Sequence, residues 1–152
     1  MDLIVYYSRT SNTKEISQLI SQKVGGELLE IRDKKVRSGV TGFVMGAVES
    51  VMGKKTNITY DKKDLSAYEK VYIGTPVWAS KPAPAIIQFI EENDFNNVDV
   101  VTFATFMGSG GKSTTNEMNK LIKAKGGNVI RSCAFKMTGT DKKELVKSAF
   151  EN

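Results

Sequence analysis

The chain has 152 residues, 40% of them hydrophobic, and its length fits a single domain spanning residues 1–152. It contains no histidine and only one cysteine, which excludes Ser-His-Asp and Cys-His catalysis, His-ligated zinc and an intramolecular disulfide. The formal net charge of +5 suits an anionic ligand or an acidic partner. No aromatic RNA-binding motif accompanies the lysines, so we expect no nucleic acid. The acidic, strand-like start and the absence of an apolar run of about 18 residues predict a cytoplasmic protein without signal peptide or membrane span.

In the first half of the chain, apolar runs alternate with one amphipathic helix. Leu3–Tyr7 predicts the first strand, and residues 16–24 carry apolar side chains at helical spacing before a glycine pair ends the helix. Glu27–Arg32 predicts the second strand. Val71–Thr75 predicts the third, which we expect to stop at Pro76 because proline lacks a main-chain donor.

Five further elements are predicted in the second half. In chain order they are a helix with Pro82 and Pro84 in its first turn, a buried strand over Val98–Phe106, a helix opened by a capping box at Thr114 and Glu117, a strand over Val129–Met137 and a helix that begins at Asp141. Cys133 lies in the apolar part of the last strand, so we expect a buried, unreactive thiol. Five strands alternating with helices predict an α/β domain whose parallel sheet is covered on both faces.

The segment 38–53 is unusually apolar, and Glu49 is its only charged residue. Its valines and methionines have helical spacing, which favours a crossover helix packed on the sheet. The alternative is a partly exposed apolar surface for self-association or for a redox partner.

Three segments follow predicted strands with side chains that suit a ligand, and open α/β sheets bind ligands at the carboxyl ends of their strands. The first, here called the hydroxyl loop, is Ser8–Thr13. Hydroxyl groups at a helix N-terminus form a natural phosphate site, because they donate hydrogen bonds beside free main-chain N–H groups. The alternative is an ordinary N-cap, which needs only one such residue.

The second segment, here called the tryptophan segment, is Gly74–Ser80 and contains the only tryptophan, Trp78. We expect Trp78 to lie in a loop, either as a core plug or as a platform for a planar ligand. The third, the glycine loop, is Thr105–Gly111, whose glycines let backbone amides approach a ligand. A P-loop is excluded because Phe106 stands where its first glycine is required.

Together the three segments resemble the flavodoxin family. The hydroxyl loop reads Ser8-Arg9-Thr10-Ser11-Asn12-Thr13 and matches the family's phosphate pattern [ST]-x-[ST]-x-N-T. Asp64–Trp78 is similar to the stretch that leads into its first flavin loop, and the glycine loop occupies the position of its second. The resemblance implies a three-layer α/β/α sandwich with a five-stranded parallel sheet in the order 2-1-3-4-5, and it implies FMN as the cofactor.

The resemblance also implies a site. The hydroxyl loop would hold the FMN phosphate, Trp78 would stack on the isoalloxazine ring, and the glycine loop would frame the other side of the ring and its pyrimidine edge. The implied cofactor-binding residues are Ser8, Arg9, Thr10, Ser11, Asn12, Thr13, Thr75, Pro76, Val77, Trp78, Thr105, Phe106, Met107, Gly108, Ser109, Gly110 and Gly111.

Two features depart from the family pattern. The family's carriers are usually acidic, whereas this chain is basic, which predicts an acidic redox partner. Many relatives have glycine in the first flavin loop, where a peptide reorients on reduction. Ala79 and Ser80 stand there in this chain, and we expect a positive φ at either to cost about 1 kcal/mol or more.

Three functions are compatible with the sequence. The first is an FMN-binding electron-transfer carrier between redox partners. The second is an FMN-dependent NAD(P)H:quinone oxidoreductase on the same fold, for which Lys81 and Lys112 could attract the phosphates of a nucleotide. The third is a colourless, non-redox docking module that uses residues 38–53.

Overall fold

A computed structural model describes residues 1–33 and 57–151 of the chain. Its elements are β1 (Leu3–Tyr6), α1 (Asn12–Val24), β2 (Glu27–Glu30), β3 (Arg32–Asp33), β4 (Ile58–Thr59), β5 (Val71–Trp78), β6 (Lys81–Pro82), α2 (Pro84–Glu92), β7 (Asp99–Phe106), α3 (Gly111–Ala124), β8 (Asn128–Lys136) and α4 (Lys142–Phe150). The apolar segment 38–53, with its two interpretations, lies outside the described residues. Within the described ranges, no helix is long and apolar enough to cross a membrane.

The main sheet has the strand order β2-β1-β5-β7-β8, and these five strands are parallel. The predicted order 2-1-3-4-5 is therefore confirmed. The short strand β6 forms an antiparallel hairpin with the end of β5, while β3 and β4 form a separate two-stranded antiparallel sheet. Strand order reverses at β1, which pairs with β2 on one side and with β5 on the other.

Helices cover both faces of the sheet, as predicted, and make three layers. On one face α2 and α3 close an apolar core with the inward residues of β1 and β5, including Phe89, Ile90, Met118, Val5 and Ile73. On the other face α1 and α4 close a second core with the alternate residues of the strands, including Ile16, Ile20, Val146, Ile4 and Phe103. Alternation along each strand therefore supplies both cores, as a central parallel strand requires.

Aromatic rings connect the last helix to the central strands. The ring centroids of Phe103 in β7 and Phe135 in β8 lie 6.2 Å apart, and Phe135 lies 6.5 Å from Phe150 in α4. Phe150 also meets Tyr72 of β5 edge-on at 5.7 Å. Gly74 makes room for this cluster, because a Cβ there would lie 2.1 Å from the Phe103 ring.

Two strands end elsewhere than predicted. The predicted strand Glu27–Arg32 is interrupted at Ile31: its first part pairs with β1, whereas β3 leaves the sheet to pair with β4. Strand β5 does not stop at Pro76 but continues to Trp78. The Gly74 carbonyl accepts a hydrogen bond from the Tyr7 N–H at 3.2 Å, so the polar groups of Gly74, and of Pro76 two residues on, face the β1 side. Because β1 has already ended there, Pro76 breaks no ladder bond.

Other sequence expectations have mixed outcomes. Helix α3 begins at Gly111, so the predicted capping box is wrong: Gly110 is the N-cap, and the buried Thr114 hydroxyl has no hydrogen-bond partner within the described residues. Helix α4 begins as predicted, with the Asp141 carboxylate accepting from the Lys143 N–H at 2.8 Å. Cys133 is half-buried rather than buried, because its strand β8 is an edge strand of the main sheet.

Candidate functional site

The carboxyl ends of β1, β5 and β7 lie side by side at one edge of the sheet, because these strands are adjacent and parallel. This edge brings the hydroxyl loop, the tryptophan segment and the glycine loop together. The hydroxyls of Thr13 and Thr105 lie 2.8 Å apart, and the Asn12 side-chain amide donates to the Met107 sulfur at 4.0 Å. The loops meet beside the strand-order reversal at β1, where open α/β sheets bind ligands.

The hydroxyl loop presents donors at the N-terminus of α1. Its N-cap residue Ser11 is exposed and makes no side-chain cap hydrogen bond, so the Ser11 hydroxyl is available to a ligand at the point where the helix begins. The Ser8 hydroxyl organises the loop: it donates to the Thr10 carbonyl and accepts from the Lys14 N–H at 3.3 Å. Thr10 and Ser11 are exposed.

The loop contains no carboxylate, which makes its donor set suitable for a phosphate dianion. The nearest acidic side chain in the helix, Glu15 in the first turn of α1, forms an ion pair with Lys142 of α4. Thr13 is 1% exposed, and its hydroxyl is engaged by Thr105. The hydroxyls of the loop that are open to a ligand are therefore those of Thr10 and Ser11.

Residues Gly74–Trp78 of the tryptophan segment are the last part of β5 and not a loop, and only Ala79 and Ser80 form a turn. The fully buried Thr75 uses its hydroxyl within the chain, donating to the Pro76 carbonyl and accepting from the Ala83 N–H, each at 2.9 Å. It thereby closes the hairpin that β5 forms with β6. Pro76 and Val77 are half-buried at the sheet edge.

Trp78 ends β5 opposite Lys81, so the expected loop position is wrong. Its side chain is 3% exposed and belongs to the core between the sheet and the α2–α3 layer. Its ring meets that of Tyr7 edge-on, with 5.7 Å between centroids. This contact joins the residue after β1 to the last residue of β5.

The turn after Trp78 has an unusual backbone. Ala79 and Ser80 have φ values of 51° and 61°, in the left-handed region. A two-residue hairpin of this kind usually contains asparagine or glycine, because a Cβ in this region costs roughly 1–2 kcal/mol per residue. From the sequence we expect Ala79 or Ser80 to incur this cost only if the peptide reorients on reduction. In the structure both residues already have positive φ.

The glycine loop joins β7 to α3. Met107 is 57% exposed, and its carbonyl accepts from the Thr138 hydroxyl at 3.3 Å. A Cβ at Gly108 would touch nothing within 4 Å, so this residue leaves open space. At Gly110, φ is 94° and a Cβ would lie 3.0 Å from the Ser80 hydroxyl, so the glycine permits close contact with the hairpin turn.

The remaining predicted residues of the glycine loop support its shape. Phe106 packs against Gly111, where a Cβ would lie 2.6 Å from the phenylalanine ring. The Phe106 carbonyl accepts from the Met137 N–H at 2.8 Å, which fixes the loop to the end of β8. Ser109 is exposed, and Arg9 in the hydroxyl loop is half-buried.

Two residues of α3 that the motif comparison does not select contact the site. The Ser113 hydroxyl lies 3.2 Å from the Ser80 carbonyl oxygen, and Glu117 lies 3.8 Å from the Lys81 ammonium. Their spacing of four residues puts them on one helix face, but no sequence signal shows that this face meets a hairpin. Lys112 is exposed beside them.

Comparison with known proteins relates this architecture to a family. The sequence model of the flavodoxin family matches residues 1–152. A flavoprotein from Lactobacillus acidophilus NCFM, solved in complex with FMN, is 25% identical over 88% of this chain and 91% of that chain, with a TM-score of 0.74. A search of curated proteins gave no match.

Two other solved structures are similar in fold. A candidate flavoprotein from Bacteroides uniformis ATCC 8492 is 23% identical, covers 99% of this chain and 97% of that chain, and has a TM-score of 0.83. A flavodoxin from the domain Archaea is 17% identical, covers 97% of this chain and 92% of that chain, and has a TM-score of 0.63.

Proposed function

The chain belongs to the flavodoxin family, and we propose that it is a carrier that transfers electrons between redox partners through one bound FMN. FMN as the cofactor is supported by the family and by the FMN complex of the Lactobacillus relative. The observation that carries the proposal is the meeting of the three segments at the sheet edge, with the Thr13–Thr105 contact between two of them. We propose that residues 1–152 form one FMN-binding domain.

The phosphate end of the site is the better supported. The unused cap hydroxyl of Ser11, the exposed hydroxyl of Thr10 and the first N–H groups of α1 offer hydrogen bonds to phosphate oxygens. The positive end of the helix dipole adds to this preference. Ser8 would act through the loop backbone, because its hydroxyl already bonds Thr10 and Lys14.

The ring end would lie between the end of β5 and the glycine loop. Val77 and the Ala79-Ser80 turn would border it on one side, and Met107 with the open space at Gly108 on the other. Trp78 would contact the ring through a small exposed part or after a change of its rotamer, because its side chain is 3% exposed.

Bound FMN supplies the redox chemistry, and the chain binds it and sets its surroundings. No residue is required as a general acid or base, which agrees with a sequence that contains no histidine. The net charge of +5 and the exposed Lys112 at the site favour an acidic redox partner. We place this exchange in the cytoplasm.

The alternative, an NAD(P)H:quinone oxidoreductase, depends on free cations beside the ring. Lys81 is a weaker candidate than the sequence suggests, because its ammonium pairs with Glu117 at 3.8 Å. Lys112 is exposed and keeps the alternative testable.

One experiment separates these functions. The flavin-free protein is titrated with FMN, and the complex is then exposed without oxygen to NADH or NADPH while the flavin absorbance is followed. A carrier binds one FMN per chain and is reduced only when a separate reductase is added. Direct and rapid reduction of the flavin by NADH or NADPH, followed by turnover with a quinone, would contradict the carrier function and support the oxidoreductase. A protein that binds no FMN would overturn both and favour the docking module.

A further inference from the structure

We propose that Ser113, supported by Glu117, is a positioning residue that holds the Trp78–Lys81 turn in its left-handed form and so fixes the main chain at the ring end of the site. The inference rests on the proposed function for its redox consequence. The contacts of Ser113 and Glu117 with this turn, here called the clamp, are present in the protein without a cofactor.

The turn requires support from outside itself. Trp78 pairs with Lys81, which leaves Ala79 and Ser80 as a two-residue connection with φ values of 51° and 61°. These are the positive values that a type I′ turn needs at both central positions. Since both residues carry a Cβ and both are exposed, their own side chains contribute little to this conformation.

Helix α3 supplies that support at its first two turns. The Ser113 hydroxyl is within hydrogen-bond distance of two carbonyl oxygens, that of Ser80 at 3.2 Å and that of Gly110 at 3.0 Å. Because the hydroxyl has one proton, it joins the hairpin turn to the glycine loop as a donor that the two carbonyl oxygens share. One helical turn later, Glu117 pairs with Lys81, the residue that follows the strained pair.

Gly110 completes the contact. A Cβ at this position would lie 3.0 Å from the Ser80 hydroxyl and 3.2 Å from the Ser80 Cα, so the glycine backbone is pressed against the turn. The turn is thus held by a hydrogen bond, an ion pair and close packing, all from one end of α3. Because the Ser80 carbonyl points to Ser113, the orientation of this peptide is set by the helix.

A fixed peptide beside a redox-active ring affects its oxidised and reduced forms differently, because their charge and hydrogen bonding differ. Loss of the clamp should therefore change the ratio of affinities for oxidised and reduced FMN. It should leave the contribution of the phosphate unchanged. If Ser113 only donated a hydrogen bond to the Gly110 carbonyl, its loss would lower the stability of the protein without changing the ratio of affinities for oxidised and reduced FMN.

The test compares Ser113→Ala with Ser113→Thr, which keeps the hydroxyl, and with Ser148→Ala, an exposed serine on α4. The first readout is amide hydrogen exchange of Ala79, Ser80 and Lys81 in the flavin-free protein by NMR. Ser113→Ala should accelerate this exchange by about tenfold, the effect of one hydrogen bond of ordinary strength. The threonine and control variants should resemble the wild type.

The second readout is the midpoint potential of the FMN complex. Ser113→Ala should change the affinity ratio for oxidised and reduced FMN by about tenfold, which is about 30 mV for a two-electron couple, and Ser113→Thr should restore it. Unchanged exchange in Ser113→Ala overturns the clamp whether or not FMN binds. Altered exchange with an unchanged potential overturns the redox role. A wild type that binds no FMN contradicts the proposed function, while the exchange data still decide the clamp.

Discussion

The hydroxyls of Thr13 and Thr105 lie 2.8 Å apart in the interior and join the first turn of α1 to the end of β7. Thr13→Val or Thr105→Val alone should destabilise the flavin-free protein by about 1–3 kcal/mol, because each leaves a buried hydroxyl unpaired. The double variant should lose less than the sum of the two, because it removes both partners. Urea unfolding measures these values, with the exposed Thr140→Val as a control near zero. Additive losses would show that the two hydroxyls do not depend on each other.

The exposed hydroxyls of the hydroxyl loop should recognise phosphate. Thr10→Ala combined with Ser11→Ala should weaken FMN binding by about 10–100-fold, since hydrogen bonds to a charged group are stronger than neutral ones. Riboflavin, which lacks the phosphate, should bind nearly as before. Both affinities are measured by flavin fluorescence, with Ser148→Ala as control. Equal losses for the two ligands would contradict the assignment of the phosphate end.

Trp78 is the only tryptophan, so its fluorescence tests the proposed ring end of the site. In the flavin-free protein its emission should be that of a buried indole, as its packing against Tyr7 requires. FMN should quench this emission strongly, and Trp78→Phe should change the flavin potential. Emission that stays constant during an FMN titration would remove Trp78 from the ring site and leave it as a core residue.

Two tyrosines should make the fold sensitive to alkali. The Tyr68 hydroxyl donates to Glu27 at 2.6 Å, and this bond together with burial raises the pKa of Tyr68 to about 12. Burial, reinforced by a hydrogen bond to Glu92 at 2.7 Å, raises the pKa of Tyr60 to about 12.

From about pH 10 upwards the unfolded chain loses these protons while the folded chain keeps them, so stability should be full below pH 10 and fall as the pH rises towards 12. Urea unfolding across this range measures the slope, and tyrosinate absorbance measures the late ionisation. Tyr60→Phe with Tyr68→Phe should flatten the slope. A slope unchanged in this double variant would assign the alkaline sensitivity to other groups.

Cys133 should react slowly despite its partial exposure. Burial raises the pKa of the Cys133 thiol, an effect that Arg131 opposes only in part. Because the thiolate is the reactive form, labelling of the native protein should be slower than labelling in urea, and its rate should rise with pH at higher values than in the unfolded chain. Equal rates in the two states would show that the strand gives the thiol no protection.

The parallel sheet with helices on both faces was predictable because strands alternate with helices along the chain. The meeting of the three segments was predictable because each follows a strand of that sheet. The strand order 2-1-3-4-5 came from the resemblance to the flavodoxin family and not from the alternation. The end of β5 was not predictable. Pro76 stops a strand only where a neighbour needs its missing donor, and the sequence does not show that β1 ends before this level. The position of Trp78 follows from the same fact, since the continued strand carries the indole into the core.

The hairpin turn shows the limit of local propensity. Ala79 and Ser80 contain no signal for positive φ, and their conformation depends on Ser113 more than thirty positions away in the chain. The capping box at Thr114 failed for a similar reason, because the N-cap of α3 is Gly110, four residues earlier.

Helix α4 is short, and the aromatic rings around Phe150 help to hold it on the sheet. An isolated helix of nine residues is marginal in water, so α4 depends on its packing, in which Val146 enters the core and Phe150 contacts Phe135 and Tyr72. Phe135 leads to Phe103, whose ring occupies the space that Gly74 leaves beside the site. This row of ring contacts connects the C-terminal helix to the sheet edge that we propose binds FMN, so we expect truncation of Phe150 to reduce the order of that edge.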